Sequence, residues 1–88
     1  MLVASLLTTL PASPGVVIAG PITIVNISVQ STQNQIDFVD SNGGGGATPH
    51  VVSIPAGFVG IVQVNRRVAQ GLYAVNIDDS VNGSVGTA

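Results

Sequence analysis

Apolar and polar residues alternate with a period of two along most of this chain, and apolar residues at helical spacing are nearly absent. The clearest run is Ile22 to Gln30, where Val25, Ile27 and Val29 share one face and Asn26, Ser28 and Gln30 the other. That pattern predicts a half-buried strand. Ser31 to Asn34 is polar and turn-like, and Gln35 to Val39 follows with Ile36 and Phe38 on one face and Asp37 on the other. These two segments are expected to pair as a hairpin. Further strands are expected at Val16 to Ile18, His50 to Ile54, Leu72 to Asp78 and, more briefly, around Val81 to Val85. The longest alternating segment, Phe58 to Val68, has Phe58, Gly60, Val62 and Val64 on one side and Val59, Ile61, Gln63 and Asn65 on the other. Being apolar on both faces at its start, it is expected to be a central strand.

Gly20-Pro21, Pro55-Ala56-Gly57 and Ala69-Gln70-Gly71 punctuate the alternation as turns. Residues 41 to 48 read as a loop, because the four consecutive glycines Gly43 to Gly46 lose too much backbone entropy to hold a strand alone. The expected fold is all-β: a small β-sandwich or jelly-roll-like domain, or a small barrel, of six to seven short antiparallel strands over residues 16 to 88. Residues 1 to 15 form an expected extended N-terminal arm, with room for one helical turn or an edge strand. Its Leu2, Leu6, Leu7 and Leu10 need a surface to bury against.

Charge changes the picture. Only six residues carry any, two Arg and four Asp without Lys or Glu, and the first of them, Asp37, follows 36 uncharged positions. Soluble domains are typically about 25% charged, against 7% here, so a membrane or another protein is expected to cover the surface. A spanning helix needs about 20 continuous apolar residues, whereas residues 2 to 29 are cut by Pro11, Pro14 and Pro21 and turn rich in Val, Ile and Thr. No Lys or Arg precedes the apolar stretch from Leu2 to Leu10, and the chain opens on Met1, so neither a cleaved leader nor membrane contact is expected. Protein partners remain. With no Cys and a single His, the chain has neither a disulfide scaffold nor a cysteine zinc site, which leaves oligomerisation as the way to reinforce a thin core. A net charge of −2, and only Phe38, Phe58 and Tyr73 beside two arginines, supply no nucleic-acid footprint.

Reactive chemistry is scarce. His50 is the one available base and no G-x-S-x-G elbow accompanies it, so no enzyme is expected. The glycine run lacks the Gly-Lys-Ser/Thr ending of a phosphate loop and precedes a strand. Asp78 and Asp79, with Asp37 and Asp40 if pairing gathers them, offer hard oxygen ligands but no calcium-loop spacing, and the expectation is turn-capping with no metal or cofactor. Asn26-Ile27-Ser28 and Asn82-Gly83-Ser84 match the glycosylation sequon, which carries no weight without a leader. Arg66 and Arg67 are neighbours on a strand and are expected on opposite faces, one in solvent and the other at an interior or interface as half of an Asp–Arg pair, the alternative being two solvated arginines at a strand end.

The strand Val25 to Gln30, the polar link into Ile36-Asp37-Phe38, the Ile54-Pro55-Ala56-Gly57 turn and the segment Val62 to Gly71 leading into Leu72 to Ile77 carry a resemblance. Residues 25 to 78 resemble the small β-proteins on virions of tailed bacteriophages: head decoration or cement proteins and the base modules of head spikes or fibres. The resemblance implies a structural virion protein, made in the host cytoplasm and placed on the capsid surface, that clamps subunits of the major capsid protein by burying apolar surface. It also implies a homo-oligomer, with a trimer favoured to cover strand edges. The candidate interface is the arm, through Leu2, Leu6, Leu7 and Leu10, and one sheet face, through Val16, Val17 and Ile18 with Arg66 and Arg67. The alternative is a glycan- or ligand-binding β-sandwich module, such as a fibre or spike base or an adhesin, using the glycine-rich loop.

Overall fold

A computed structural model describes residues 6–43 and 49–88. Its strands are β1 (Leu6–Thr9), β2 (Gly15–Ala19), β3 (Ile22–Ser31), β4 (Ile36–Asp40), β5 (His50–Ile54), β6 (Gly60–Val68), β7 (Gly71–Ala74) and β8 (Asn82–Thr87). They pair as one long antiparallel ribbon doubled on itself, β1 with β8, β2 with β7, β3 with β6 and β4 with β5. Additional pairing of β3 with β8 and of β4 with β7 rolls that ribbon into two four-stranded sheets. Sheet I has the order β1-β8-β3-β6 and sheet II the order β2-β7-β4-β5. This is the jelly-roll arrangement of an all-β sandwich.

The core lies between the sheets, built from Ile24, Ile27 and Val29 of β3, Ile36 and Phe38 of β4, Ile54, Leu72, Ala74 and Val85, all at or near zero exposure. Alternation along each strand is what delivers these side chains inward. A bulge modifies the β3 pattern, because Val64 and Asn65 of β6 together oppose Val25, with Asn65 at φ 48°. Ile24 therefore joins the core cluster beside Ile27 and Val29, and Val25 is buried outside it.

Several expectations change. There are eight strands among the described residues instead of six or seven, because Leu6 to Thr9 of the arm pairs along β8. Ile22 to Gln30 and Gln35 to Val39 do not form a hairpin: β3 and β4 lie in different sheets, and the chain crosses the sandwich at Ser31 to Asn34. The hairpin is instead β4–β5, closed by the glycine-rich segment, whose residues 44 to 48 lie outside the described residues. Phe58 to Val68 is not central, since β6 ends the order of sheet I. Apolar residues on both faces of a strand signal double burial only when a second layer covers each face, and the outer one here is open.

Polar ties hold the two ends of the sandwich. At one end the Asp40 carboxylate accepts the N–H groups of Ala69, Gln70 and Gly71, while Ser41 N–H donates to the Gly71 carbonyl and Gly20 N–H to the Gln70 carbonyl, both at 3.0 Å. At the other, Asp78 accepts from Asn34 and from the Ser80 N–H and hydroxyl, and Ser80 Oγ accepts the Gln33 N–H at 3.1 Å. The β3–β4 crossover is thereby pinned to the β7–β8 connection. Among the described residues no buried side-chain N or O lacks a hydrogen-bond partner.

Candidate functional site

Registry across sheet I defines its outer face. The row Thr8, Val85, Ile27, Val62 points into the core, so the flanking rows, Leu7–Gly86–Asn26–Gln63 and Thr9–Ser84–Ser28–Ile61, point outward. Leu7 at 68%, Ile61 at 61% and Val59 at 71% exposure stand on or beside this face, and Leu6 is exposed at its β1 edge. The other residues of those two rows are small or amide, and Arg67, paired with Thr23, stands on the same side at the end of β6. No charged residue occurs in β1, β3, β8 or β6 before Arg66. Charge has been moved to the corners: Asp40 and the two arginines at one end, Asp78 and Asp79 in the β7–β8 connection, Asp37 on sheet II.

The candidate interface residues separate into three groups. Leu6, Leu7 and Val16 are exposed at the edge strands β1 and β2. Val17 and Ile18 are half-buried and pack against the core. Leu10 is taken by the chain's own core, with its N–H donating to the Gly83 carbonyl at 3.0 Å, so it is corrected from interface to interior. The cause is the pairing of β1 with β8, which carries the arm back over the sandwich. Leu2 lies outside the described residues.

Arg66 and Arg67 are both exposed near the end of β6, as in the alternative of two solvated arginines at a strand end, and their register with Ile24 and Thr23 keeps them on opposite faces. Because β6 is an edge strand, the inner side at Arg66 is open as well as the outer side at Arg67. The Arg66 partner is not a carboxylate: its Nη1 donates to the His50 carbonyl at 2.8 Å, joining β6 of sheet I to β5 of sheet II. Arg66 also contributes, as the smallest cause, to holding the Asp40 carboxyl below the ordinary carboxylate value, an effect led by the Gln70 and Ala69 N–H groups.

Sheet II carries a polar chain that sequence patterns did not disclose. His50 Nε2 lies 2.7 Å from Ser53 Oγ, and Ser53 Oγ donates to Asp37 Oδ1 at 2.6 Å. Asn76 Nδ2 donates to Asp37 Oδ2 at 2.6 Å and Gln35 Nε2 to Oδ1 at 3.0 Å. These donors, Ser53 first and Gln35 second, hold the Asp37 carboxyl below its ordinary value. Ser53 sits in the middle. Its proton goes to Asp37, so its oxygen accepts from His50, whereas a nucleophilic serine must give its proton to an imidazole held by the carboxylate. The only legible sign of this chain was Asp37 on the strand face opposite Ile36 and Phe38, and finding Ser53 needed the β4–β5 register.

The acidic residues are not gathered. Asp37, Asp40 and Asp78 serve three separate hydrogen-bond sets, and no group of three or more His, Cys, Asp or Glu close enough to hold a metal occurs among the described residues. Among those residues no pocket is present and no helix is long and apolar enough to cross a membrane.

Strand order and surface together define a small jelly-roll sandwich whose sheet I has a charge-poor outer face and exposed apolar residues at its edges. No protein-family model, no curated protein and no solved structure matches the chain.

Proposed function

We propose that this chain is a structural virion protein of the decoration or cement type, which stabilises a capsid shell by laying the outer face and edges of sheet I against neighbouring protein subunits. The carrying observation is the exposure of Leu7, Val59 and Ile61 on or beside a face whose one charged side chain among the described residues, Arg67, stands at the end of β6. Charged side chains resist burial at an interface core, whereas small, amide and aliphatic ones do not. Eight-stranded jelly rolls recur in viral capsid proteins and in lectins, which supports the setting by analogy of fold alone.

Magnitudes favour several copies acting together. Full burial of three aliphatic side chains contributes about 5–9 kcal/mol, close to the roughly 4–15 kcal/mol that association costs in lost freedom. Leu7 at the β1 edge and Ile61 with Val59 at the β6 edge make one copy's contacts marginal by themselves. A homo-oligomer, a trimer as expected from the resemblance, presents these contacts repeatedly and raises the effective concentration of each later one. Major capsid protein is the proposed partner and the capsid surface the proposed location.

The test is quantitative mass spectrometry of purified particles from the source of this sequence, with copy number scaled to the major shell protein. A fixed, repeated stoichiometry is the expected result. A chain that is monomeric in solution and missing from particles overturns the proposal.

A further inference from the structure

The dipeptide Asn-Gly occurs twice, at Asn42-Gly43 and at Asn82-Gly83. It is the pair best suited to intramolecular attack, in which the backbone nitrogen of the second residue bonds to Cγ of the asparagine. Ammonia leaves, a five-membered succinimide forms, and water opens it at either carbonyl to give aspartate or isoaspartate. Glycine favours the step because no Cβ hinders its nitrogen and its backbone reaches conformations closed to other residues.

The fold places the two copies in opposite situations. Asn42 and Gly43 are both exposed, outside any strand, in the connection that leaves β4. Gly43 has φ +134°, no atom of the described residues beyond its chain neighbours lies within 4 Å of where a Cβ would be, and its N–H donates to Ser41 Oγ at a long 3.3 Å. Asn82 also exposes its side chain, but its backbone is the first residue of β8 and lies opposite Ser31. Gly83 lies opposite Val29, its carbonyl accepts the Leu10 N–H at 3.0 Å, and the Ser28 carbonyl and Leu10 Cδ1 crowd the space beside its Cα. Side-chain exposure is shared, so the difference is backbone freedom. Ring closure at Asn82 requires the Gly83 nitrogen to rotate toward Cγ, which the paired strand forbids unless that part of sheet I opens.

We propose that Asn42 is a spontaneous modification site, converting to aspartate and isoaspartate in the folded protein, and that Asn82 is protected by its place in β8. Each conversion adds one negative charge to a chain of net charge −2, two positions from Asp40. The isoaspartate product also inserts a methylene into the main chain at the start of the β4–β5 connection. The inference is independent of the virion reading.

The experiment incubates the folded full chain in mildly alkaline buffer. Tryptic cleavage at Arg66 and Arg67 then separates the Asn42 fragment from the Asn82 fragment, fragment ions locate the gain of about one mass unit, and enzymatic methylation counts isoaspartate. Asn42 is expected to convert about tenfold or more faster than Asn82. In concentrated urea the two rates are expected to come within about twofold of each other, and Gly43→Ala is expected to slow Asn42 alone. Equal rates in the folded protein, or a difference that persists in urea, overturns the proposal.

Discussion

The Asp40 carboxylate accepts the backbone N–H of Gln70 at 2.8 Å, although 30 positions separate the two residues. The same oxygen lies 3.3 Å from the Gly71 nitrogen, and the other oxygen accepts from Ala69 at 3.0 Å. The link from β6 to β7, which carries the chain between the sheets, is therefore organised by the end of β4. Replacing Asp40 by Ala removes the charged acceptor of three backbone N–H groups, of which that of Gly71 is buried. We expect Asp40→Ala to cost about 3 kcal/mol, and Asp40→Asn less, because one carbonyl acceptor survives. Urea unfolding checks this as a lower midpoint with an unchanged slope.

The pH dependence has a definite sign. Asp37, Asp40 and Asp78 all have carboxyls held below the ordinary value of 3.8, by hydrogen bonds that favour the ionised form. A group depressed in the folded state binds fewer protons there than when unfolded, so its stabilisation is complete above the ordinary value and lost as pH falls through the folded one. Stability should hold level from neutral pH to about pH 5 and decline below it. The Asp40→Asn variant should decline less steeply. Added salt should weaken the contributions of the more exposed Asp37 and Asp78 most.

Two glycines with positive φ should respond very differently to alanine. Gly71 has φ +145°, and a Cβ there would meet the Ile18 carbonyl oxygen at 2.8 Å, the Gly20 nitrogen at 3.1 Å and the Ser41 carbonyl oxygen at 3.2 Å. These are backbone atoms of the corner and cannot swing aside, so Gly71→Ala should cost about 3 kcal/mol or more. Gly57, at φ +78° with open space around it, should lose only about 1 kcal/mol through the backbone conformation itself. Thermal unfolding of the two variants beside the parent chain tests the contrast.

Surface and core substitutions should separate attachment from stability. Leu7→Arg and Ile61→Arg change exposed positions, so unfolding free energies should move by only about 0.5 kcal/mol. Both should abolish retention on particles if the outer face of sheet I is the contact. Ile27→Ala, at a fully buried position on the inner side of that sheet, should cost about 2–5 kcal/mol. Retention by the two arginine variants equal to that of the parent chain would remove this face from the interaction.

The alternation of side chains determined a good deal alone. Strand positions, the turn at Pro55 to Gly57, the apolar sides of β3 and β4 and the all-β class follow from a pleat of period two, which is local to each segment. Tertiary structure decided which strands meet. Nothing local distinguishes a turn at Ser31 to Asn34 that closes a hairpin from one that crosses to the other sheet, nor marks β6 as an edge, nor returns Leu6 to Thr9 to β8 at the far end of the chain. The outer surface was decided in the same way. Ile61 is an ordinary strand residue, and Val59 an ordinary residue just ahead of β6, until the roll leaves no layer above them, and Leu10 is an arm residue until β1 docks and the core takes it. Pattern sets which way a side chain points within its strand, and only the folded ribbon determines what lies on that side.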